Sequence, residues 1–415
     1  MPATSSNLAV SPHETASSFA ELGIPSTLAA ALAARGITTP RPIQAHALPD
    51  GLAGRDVLGR AETGSGKTLA FGLPMLIRTA TAGGGRLARR PRGLVLVPTR
   101  ELADQVHDEL HPLAALLDLR LLTVYGGVSA QRQIQALRRG IDVVVATPGR
   151  LQDLVRQGAC SLDAVDIAVL DEADHMADMG FLPAVTWLLD RVPPGGQRLL
   201  FSATLDGQVD TLVRRYLADP VRHVVMPTAA ATARMDHQIR TVRATDKVAV
   251  AAELAARPGR TLLFVRTKHR AARLARQLDR AGLRAGALHG DLAQPARTRA
   301  LAAFAAGTVP VLVATDIAAR GIHVDGIDRV VHFDPPAEPK AYLHRSGRTA
   351  RAGAAGTVVT LVLPEQATEV ANLHRRAGVG APPLPADPAS PRSTARTDPR
   401  RPAARRRRRR VPASR

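Results

Sequence analysis

The sequence predicts an α/β protein of two tandem domains, each a parallel sheet flanked by helices. Three observations carry that reading. Short apolar runs alternate with amphipathic stretches from about Phe19 to Leu373, the pattern of repeated βαβ units. A glycine-rich turn, Ala61-Glu62-Thr63-Gly64-Ser65-Gly66-Lys67-Thr68, sits between the strand-like Asp56-Val57-Leu58 and a helical run, Thr68 to Ile77. A further apolar run, Ile167-Ala168-Val169-Leu170, ends in Asp171-Glu172-Ala173-Asp174, which puts carboxylates at the C-terminal end of a parallel strand, where ligands bind in such sheets.

With 415 residues, 45% of them hydrophobic, the chain is long enough for two ordinary cores plus tails. Aromatic residues make up only 3%, so Leu, Val, Ile and Ala must build those cores, and the lone Trp187 reads as a packing residue. The formal net charge of +20 points to a polyanionic partner or an acidic surface. Its distribution is uneven: from Ala381 to Arg415 eleven arginines stand against two aspartates, and six of them, Arg405 to Arg410, are consecutive. The single cysteine, Cys160, excludes an internal disulfide and reads as a plain thiol in a reducing compartment. No charged-then-apolar leader opens the chain and no apolar run is long enough to span a bilayer, so the expectation is a cytoplasmic protein with no membrane partner.

The glycine-rich turn has the pattern of a phosphate loop, with Ala61 where the first glycine often stands. Gly64 and Gly66 let the backbone curl around Ser65 so that successive N–H groups face one anion at a helix N-terminus. Lys67 then reaches the β- and γ-phosphates, and the Thr68 hydroxyl completes a Mg²⁺ shell. Asp171 is placed to hold Mg²⁺, and Glu172 to orient and deprotonate an attacking water. Singly, these are a glycine turn with a surface lysine and an acidic solvated loop. Together they make a nucleotide site, with ATP and Mg²⁺ expected.

The loop and the acidic quartet resemble those of the DEAD-box family of ATP-dependent RNA helicases, within superfamily 2, as a bacterial-type minimal core with a basic C-terminal tail. The resemblance implies two RecA-like domains joined by a short linker, with RNA-stimulated ATP hydrolysis and local unwinding of RNA duplexes or remodelling of ribonucleoprotein. The expected organisation is a disordered arm over 1–17, a first domain over 18–225, a linker over 226–236, a second domain over 237–377 and a disordered basic tail over 378–415.

In the first domain, Gly36 to Gln44 is from its residues alone a two-proline turn before a helix. It resembles the family's adenine-sensing motif, which gives Gln44 the adenine edge and Phe19 the upstream aromatic role; Ile37 stands where a stacking ring is usual. With Thr63, these residues complete the expected nucleotide contacts of this domain. Strand ends at Pro98-Thr99-Arg100, Tyr125-Gly126-Gly127 and Thr147-Pro148-Gly149-Arg150 gather small residues, hydroxyls, helix N-termini and arginines. Such a set grips a sugar–phosphate backbone without reading bases. The resemblance assigns RNA contacts to Thr99, Arg100, Gly127, Thr147, Gly149 and Arg150. Ser202-Ala203-Thr204 could simply cap the next helix; in the family this triplet couples the nucleotide site to RNA by bonding the acidic motif, here at Asp174.

The second domain repeats the architecture without a phosphate loop, with strands expected at Thr261–Val265, Ala285–His289, Val309–Ala314, Arg329–Phe333 and Gly356–Leu363. From His344 to Arg351 the arginines have helical spacing, so Arg348 and Arg351 share a face. Because the first domain lacks an arginine finger, the reading is donation across the cleft to the γ-phosphate. The resemblance agrees, gives His344 to coupling, and sets Asp316 at the nucleotide. It adds His289, Gly290, Asp291, Gln294, Arg297 and Thr315 to the RNA track. His289 has no Cys or His cluster of zinc spacing around it, which rules out a zinc site. His323 stands where the family commonly has an aspartate. The expected partner is RNA, single-stranded or short duplex, which the basic tail would hold by sequence-blind attraction. Ribosomal and mRNA-decay assemblies are settings such cores can have. Two competing readings stay open: an RNA annealer or scaffold whose ATPase has decayed at Ile37 and His323, and a DNA-directed helicase of the same superfamily.

Overall fold

The computed structural model describes residues 18–62, 64–83, 85–205, 207–225, 235–319, 324, 326–350 and 354–379. The arm over 1–17, Thr63, the linker up to residue 234, His323, Arg351 and the tail beyond Val379 lie outside the described residues.

The first sheet contains β1 (Val57–Arg60), β2 (Gly93–Leu96), β3 (Leu121–Val124), β4 (Val143–Ala146), β5 (Ile167–Leu170), β6 (Gln197–Ser202) and β7 (Val221–Val224). They run parallel in the order β3-β4-β2-β5-β6-β1-β7. The inner strands β2, β4, β5 and β6 are buried along their whole length, which is why they read as unbroken apolar runs rather than alternating ones. Their side chains still alternate between two cores: Val95, Val145 and Val169 enter one, Leu94, Val144 and Ala168 the other. Trp187 packs half-buried against the second of these, with the Arg191 guanidinium 3.4 Å from its ring centre.

The second sheet contains β8 (Met235–Thr241), β9 (Arg260–Val265), β10 (Ala285–Leu288), β11 (Val311–Thr315), β12 (Ile327–His332) and β13 (Gly356–Val362). These too are parallel, in the order β10-β11-β9-β12-β13-β8. Parallel strands all end at one edge. The phosphate loop after β1, Thr99 after β2, Gly127 after β3, Thr147 after β4 and Asp171 after β5 therefore gather along a single rim.

The expected strands lie within two residues of those found, but both sheets gain an edge strand. β7, Val221-Arg222-His223-Val224, sets two polar residues between its valines and is half-exposed. β8 begins at Met235, inside the stretch expected to be linker, and carries Asp236, His237, Gln238 and Arg240. Polar side chains are what an edge strand tolerates, and they hide it from a reading based on apolar runs. The arginine helix also ends early. It covers Pro339–Ser346, Gly347 follows, and the Arg348 N–H closes a turn on the Arg345 carbonyl, so Arg345 and Arg348 do not continue one helix.

Cys160 is buried and free, its thiol pushed up to about 12 by burial. No described helix is long and apolar enough to cross a membrane. Gly59 of β1 lies beside Phe201 of β6, and a Cβ there would come within 2.4 Å of the edge of the phenyl ring. Gly59→Ala should cost about 1–3 kcal/mol, seen as a lower urea midpoint with unchanged slope. Gly207→Ala, in open space on a helix, should be neutral or mildly stabilising in the same assay.

Candidate active site

The helix Lys67–Thr81 starts from the phosphate loop, capped by Gly66 at φ 92°. A side chain at Gly66 would strike the Gln44 amide, so only glycine lets this turn lie against the helix Pro42–Leu52. Gln44 is 2% exposed; its Oε1 accepts from the Arg41 N–H at 2.8 Å and its Nε2 donates to the Gly66 carbonyl at 2.9 Å. The Arg41 guanidinium donates to the Gly64 carbonyl. Beside this clasp opens a cavity of about 430 Å³ whose lining includes Ile37, Gln44, Gly64, Gly66, Lys67, Thr68, Glu109, Asp171 and Glu172. Phe19 does not belong to that lining. Its ring is 2% exposed and packs in the core with Leu22 and Ile24, so the aromatic supports the domain rather than facing the cavity.

β5 delivers Asp171 and Glu172 at 3% and 2% exposure, and Glu172 takes a left-handed backbone, φ 53°. Lys67 Nζ donates to Glu172 Oε1 at 2.8 Å and to the Ala61 carbonyl at 3.2 Å. Burial alone would lower the Lys67 pKa, but Glu172, Asp171 and Asp174 outweigh it and the ammonium is held above its ordinary value. Burial pushes the Asp171 carboxyl up to about 7 against the attraction of Lys67. A buried carboxyl that ionises reluctantly is one a bound cation would stabilise. Thr68 lines the same cavity, beside Glu109. A carboxylate and a hydroxyl are the hard oxygen donors Mg²⁺ prefers, and a glycine-capped helix N-terminus with a lysine suits polyphosphate.

The residues expected to couple the two sites lie in contact. Asp174 Oδ2 accepts from the Thr204 N–H and hydroxyl, each at 3.0 Å, and the Ser202 hydroxyl accepts from the Asp174 N–H at 3.2 Å. His175, not singled out in the sequence, places Nδ1 3.2 Å from Glu172 Oε2. Its ring stands edge-on to that of His344 from the second domain, 4.8 Å between centres at 86°. Burial, then His175, lower the His344 pKa to about 4, so this imidazole is neutral near pH 7. Arg348, 4% exposed, lines a small hollow with His344, Arg345 and Asp316. Asp316 is committed to Arg345 through bonds of 2.5 and 2.7 Å, and Arg345 also donates to the Asp334 carbonyl at 2.7 Å.

A second meeting of the domains involves a residue that the sequence had not singled out. Glu101, 8% exposed, accepts from Arg297 Nε at 2.7 Å and Gln294 Nε2 at 3.2 Å. Gln294 Oε1 in turn accepts from Arg100 at 3.3 Å. The usable signal was its place directly after Thr99-Arg100, on a chain with so many arginines to pair. A third bridge joins Lys340 Nζ to Asp178 Oδ1 at 3.1 Å.

Around this seam lie the other residues of the expected RNA track. Thr99 caps the helix Arg100–Leu116 by accepting from the Leu102 N–H at 3.2 Å. The Arg100 guanidinium lies against Gly127, and Arg150 donates to the Val128 carbonyl at 3.3 Å. Thr147 and Gly149 open the helix Pro148–Arg156 on the neighbouring strand end. Across the seam, Arg297 also donates to the His289 carbonyl at 3.2 Å, and Thr315 ends β11. Gly290 and Asp291 are exposed, Asp291 pairing with Lys268 at 2.6 Å. Gln294 and Arg297 are thus turned to Glu101 rather than left open.

Two family models match the chain: DEAD/DEAH box helicase over residues 41–212 and helicase conserved C-terminal domain over 245–353. An ATP-dependent RNA helicase RhlB of Xanthomonas axonopodis is 42% identical over 365 residues, 86% of this chain and 64% of that protein. The DEAD-box ATP-dependent RNA helicase CshA of Bacillus cereus is 37% identical over 359 residues, 86% of this chain and 67% of its own length. The chain therefore spans just under two thirds of the Xanthomonas relative. Among solved structures, S. cerevisiae Dbp5 bound to RNA and ADP BeF3 superposes with a TM-score of 0.76 at 29% identity, over 88% of this chain and 94% of that one.

Removing the Glu101 carboxylate leaves the Arg297 guanidinium buried without its partner, an arrangement that costs about 3–5 kcal/mol where such pairs are broken. Parting the domains relieves it. Glu101→Ala should therefore enlarge the radius of gyration in small-angle scattering. An unchanged radius would mean that Lys340–Asp178 and His175–His344 hold the domains without help.

Proposed function

We propose, because this chain belongs to the DEAD-box helicase family, that it hydrolyses ATP in an RNA-stimulated manner and locally unwinds RNA duplexes or remodels ribonucleoprotein. The observation that carries the reading is the buried Lys67–Glu172 pair beside Asp171, faced from the second domain by His344. Helicase names on the bacterial relatives and the RNA and nucleotide in the yeast structure support it.

In this reading ATP enters the cavity beside the phosphate loop. The Gln44 amide takes the adenine edge, and the N–H groups of Gly64 to Thr68 take the phosphates. Thr68 and Asp171 would hold Mg²⁺, which when bound supplies positive charge at the phosphate oxygens. Lys67 moves its donor from Glu172 to phosphate, and the freed Glu172 carboxylate orients the attacking water and takes its proton. Arg348 and Arg351 stabilise charge building on the γ-phosphate from the second domain. Asp174, Ser202, Thr204 and His344 tie that event to the RNA track, whose N–H groups, hydroxyls and arginines hold the backbone of one strand. We take the working units as residues 18–225 and 235–377, acting in the cytoplasm on ribosomal or mRNA-decay assemblies.

Steady-state ATP hydrolysis with and without RNA tests the reading. RNA should stimulate turnover and matched DNA should not. Glu172→Gln should lose about 10²–10⁴ of the stimulated rate while still binding ATP, and Arg348→Ala about 10³–10⁵. Robust RNA binding with no hydrolysis in the unaltered chain would overturn the proposal in favour of a scaffold. The arginine-rich stretch adds a separate expectation. Truncation after Val379 should weaken RNA binding and flatten its dependence on salt, because fewer counterions are released.

A further inference from the structure

The second domain holds another cavity, of about 420 Å³, sharing no lining residue with the first. It lies between the helices Lys247–Ala255 and Lys268–Arg280, and its lining includes Lys247, His269, Arg270, Arg273 and Phe333. Lys247 is 5% exposed. Its ammonium lies 5.2 Å from the centre of the Phe333 ring, and among the described residues it makes no hydrogen bond or ion pair. A lysine side chain this little exposed is ordinarily paired with an acceptor.

The surroundings sharpen the anomaly. Asp334 and the exposed Glu365 are the carboxylates that attract Lys247, and Asp334 is already engaged by the Arg266 N–H at 2.9 Å and the Arg270 guanidinium at 3.1 Å. Lys247 is the first residue of its helix, where the helix dipole is positive, and no acid stands in that first turn. Asp246, just before it, gives no side-chain cap and turns instead to Arg243 at 2.7 Å and Thr245 at 3.0 Å. One lysine, two arginines and an uncapped helix N-terminus therefore border a concave site whose lining carries no carboxylate. An anion there would satisfy all of them at once.

We propose that this cavity is a phosphate-binding subsite, taking a phosphoryl group between Lys247, Arg270, Arg273 and the N–H groups that open the helix Lys247–Ala255. A single oxyanion would leave much of the cavity empty, so the phosphoryl group belongs to a larger molecule. Lys268, the chain neighbour of the lining residue His269, pairs with Asp291 of the expected RNA track, and on the helicase reading this link makes the strand the source of the phosphate. A free polyphosphate presents the same chemistry. Only the RNA source rests on the helicase reading.

The binding arms of the test use the full chain with a non-hydrolysable ATP analogue present, so that the phosphate loop is filled, and hydrolysis is measured separately with ATP. Probes are single-stranded RNA that just fills the cleft, RNA twice as long, and inorganic tripolyphosphate, each against Lys247→Gln and the exposed Arg273→Gln. If the strand supplies the phosphate, long-strand affinity falls several-fold in both variants and the salt slope drops by about 0.7, while short-strand affinity and RNA-stimulated hydrolysis stay at wild-type level. If a free ligand supplies it, tripolyphosphate raises the melting temperature of the wild type more than that of either variant, and RNA binding is unchanged at both lengths. Variants that match the wild type with all three probes overturn the subsite. Arg273→Gln keeps the question decidable should Lys247→Gln fail to fold. Loss of RNA-stimulated hydrolysis in the wild type would sink the helicase reading instead and leave the tripolyphosphate comparison standing.

Discussion

The bond between Lys67 and Glu172 governs the first domain. Two adjacent carboxyl groups at 3% and 2% exposure are unfavourable unless something compensates their charge. One lysine serves both, bonding Glu172 directly and attracting Asp171, whose remaining discomfort shows as a carboxyl pushed up to about 7. The backbone is arranged to permit this. Glu172 adopts a left-handed conformation that non-glycine residues rarely take, and the helix carrying Lys67 can start where it does only because Gly66 clears the Gln44 amide. A buried pair of this kind adds little stability, so its value here lies in holding opposed charges ready for a ligand that can separate them.

The contact between domains follows the same logic with the signs divided. Acids come from the first domain, Glu101 and Asp178, and the basic partners Arg297 and Lys340 come from the second. Complementary charge draws the faces together, while the neutral His344 can press against His175 without repulsion. In the helicase reading, Arg297 and Gln294 are RNA contacts, yet both are held by Glu101. A phosphodiester arriving at that seam would compete with a carboxylate for the same donors. The Arg297 guanidinium has N–H groups beyond the Nε that Glu101 holds, so in that reading the competition is partial.

The phosphate loop, the acidic quartet and the inner strands were legible because each is a local pattern: glycines at fixed spacing, or four apolar residues followed by acids. β7 and β8 escaped because edge strands need only one apolar face, and Arg222, His223, Asp236 and Gln238 gave no signal of a sheet. The end of the helix at Ser346 was equally hidden, since the spacing of Arg345 and Arg348 fits a helix whether or not Gly347 interrupts it. Phe19 shows the limit for a single aromatic, whose burial depends on what folds over it. Glu101 and His175 were missed for a different reason. Their roles exist only in pairs, and the partners Arg297 and His344 lie in the other domain.

A chain with a net charge of +20 must bury some of its cations, and the way it does so separates structural from open sites. Arg198 donates to the Pro193 carbonyl at 2.7 Å, Arg297 to Glu101 at 2.7 Å, Arg329 to the Leu254 carbonyl at 3.1 Å, and Arg345 to Asp316. Lys67 has Glu172. Each is matched by an acceptor from the chain itself, as low-dielectric surroundings demand. Lys247 breaks that pattern while being as deeply buried as Lys67. The comparison is instructive because both lysines are the first residue of a helix and both line a cavity of similar volume. Where the chain supplies a carboxylate, the ligand must displace it. Where it supplies none, the proposed phosphoryl group would be the acceptor.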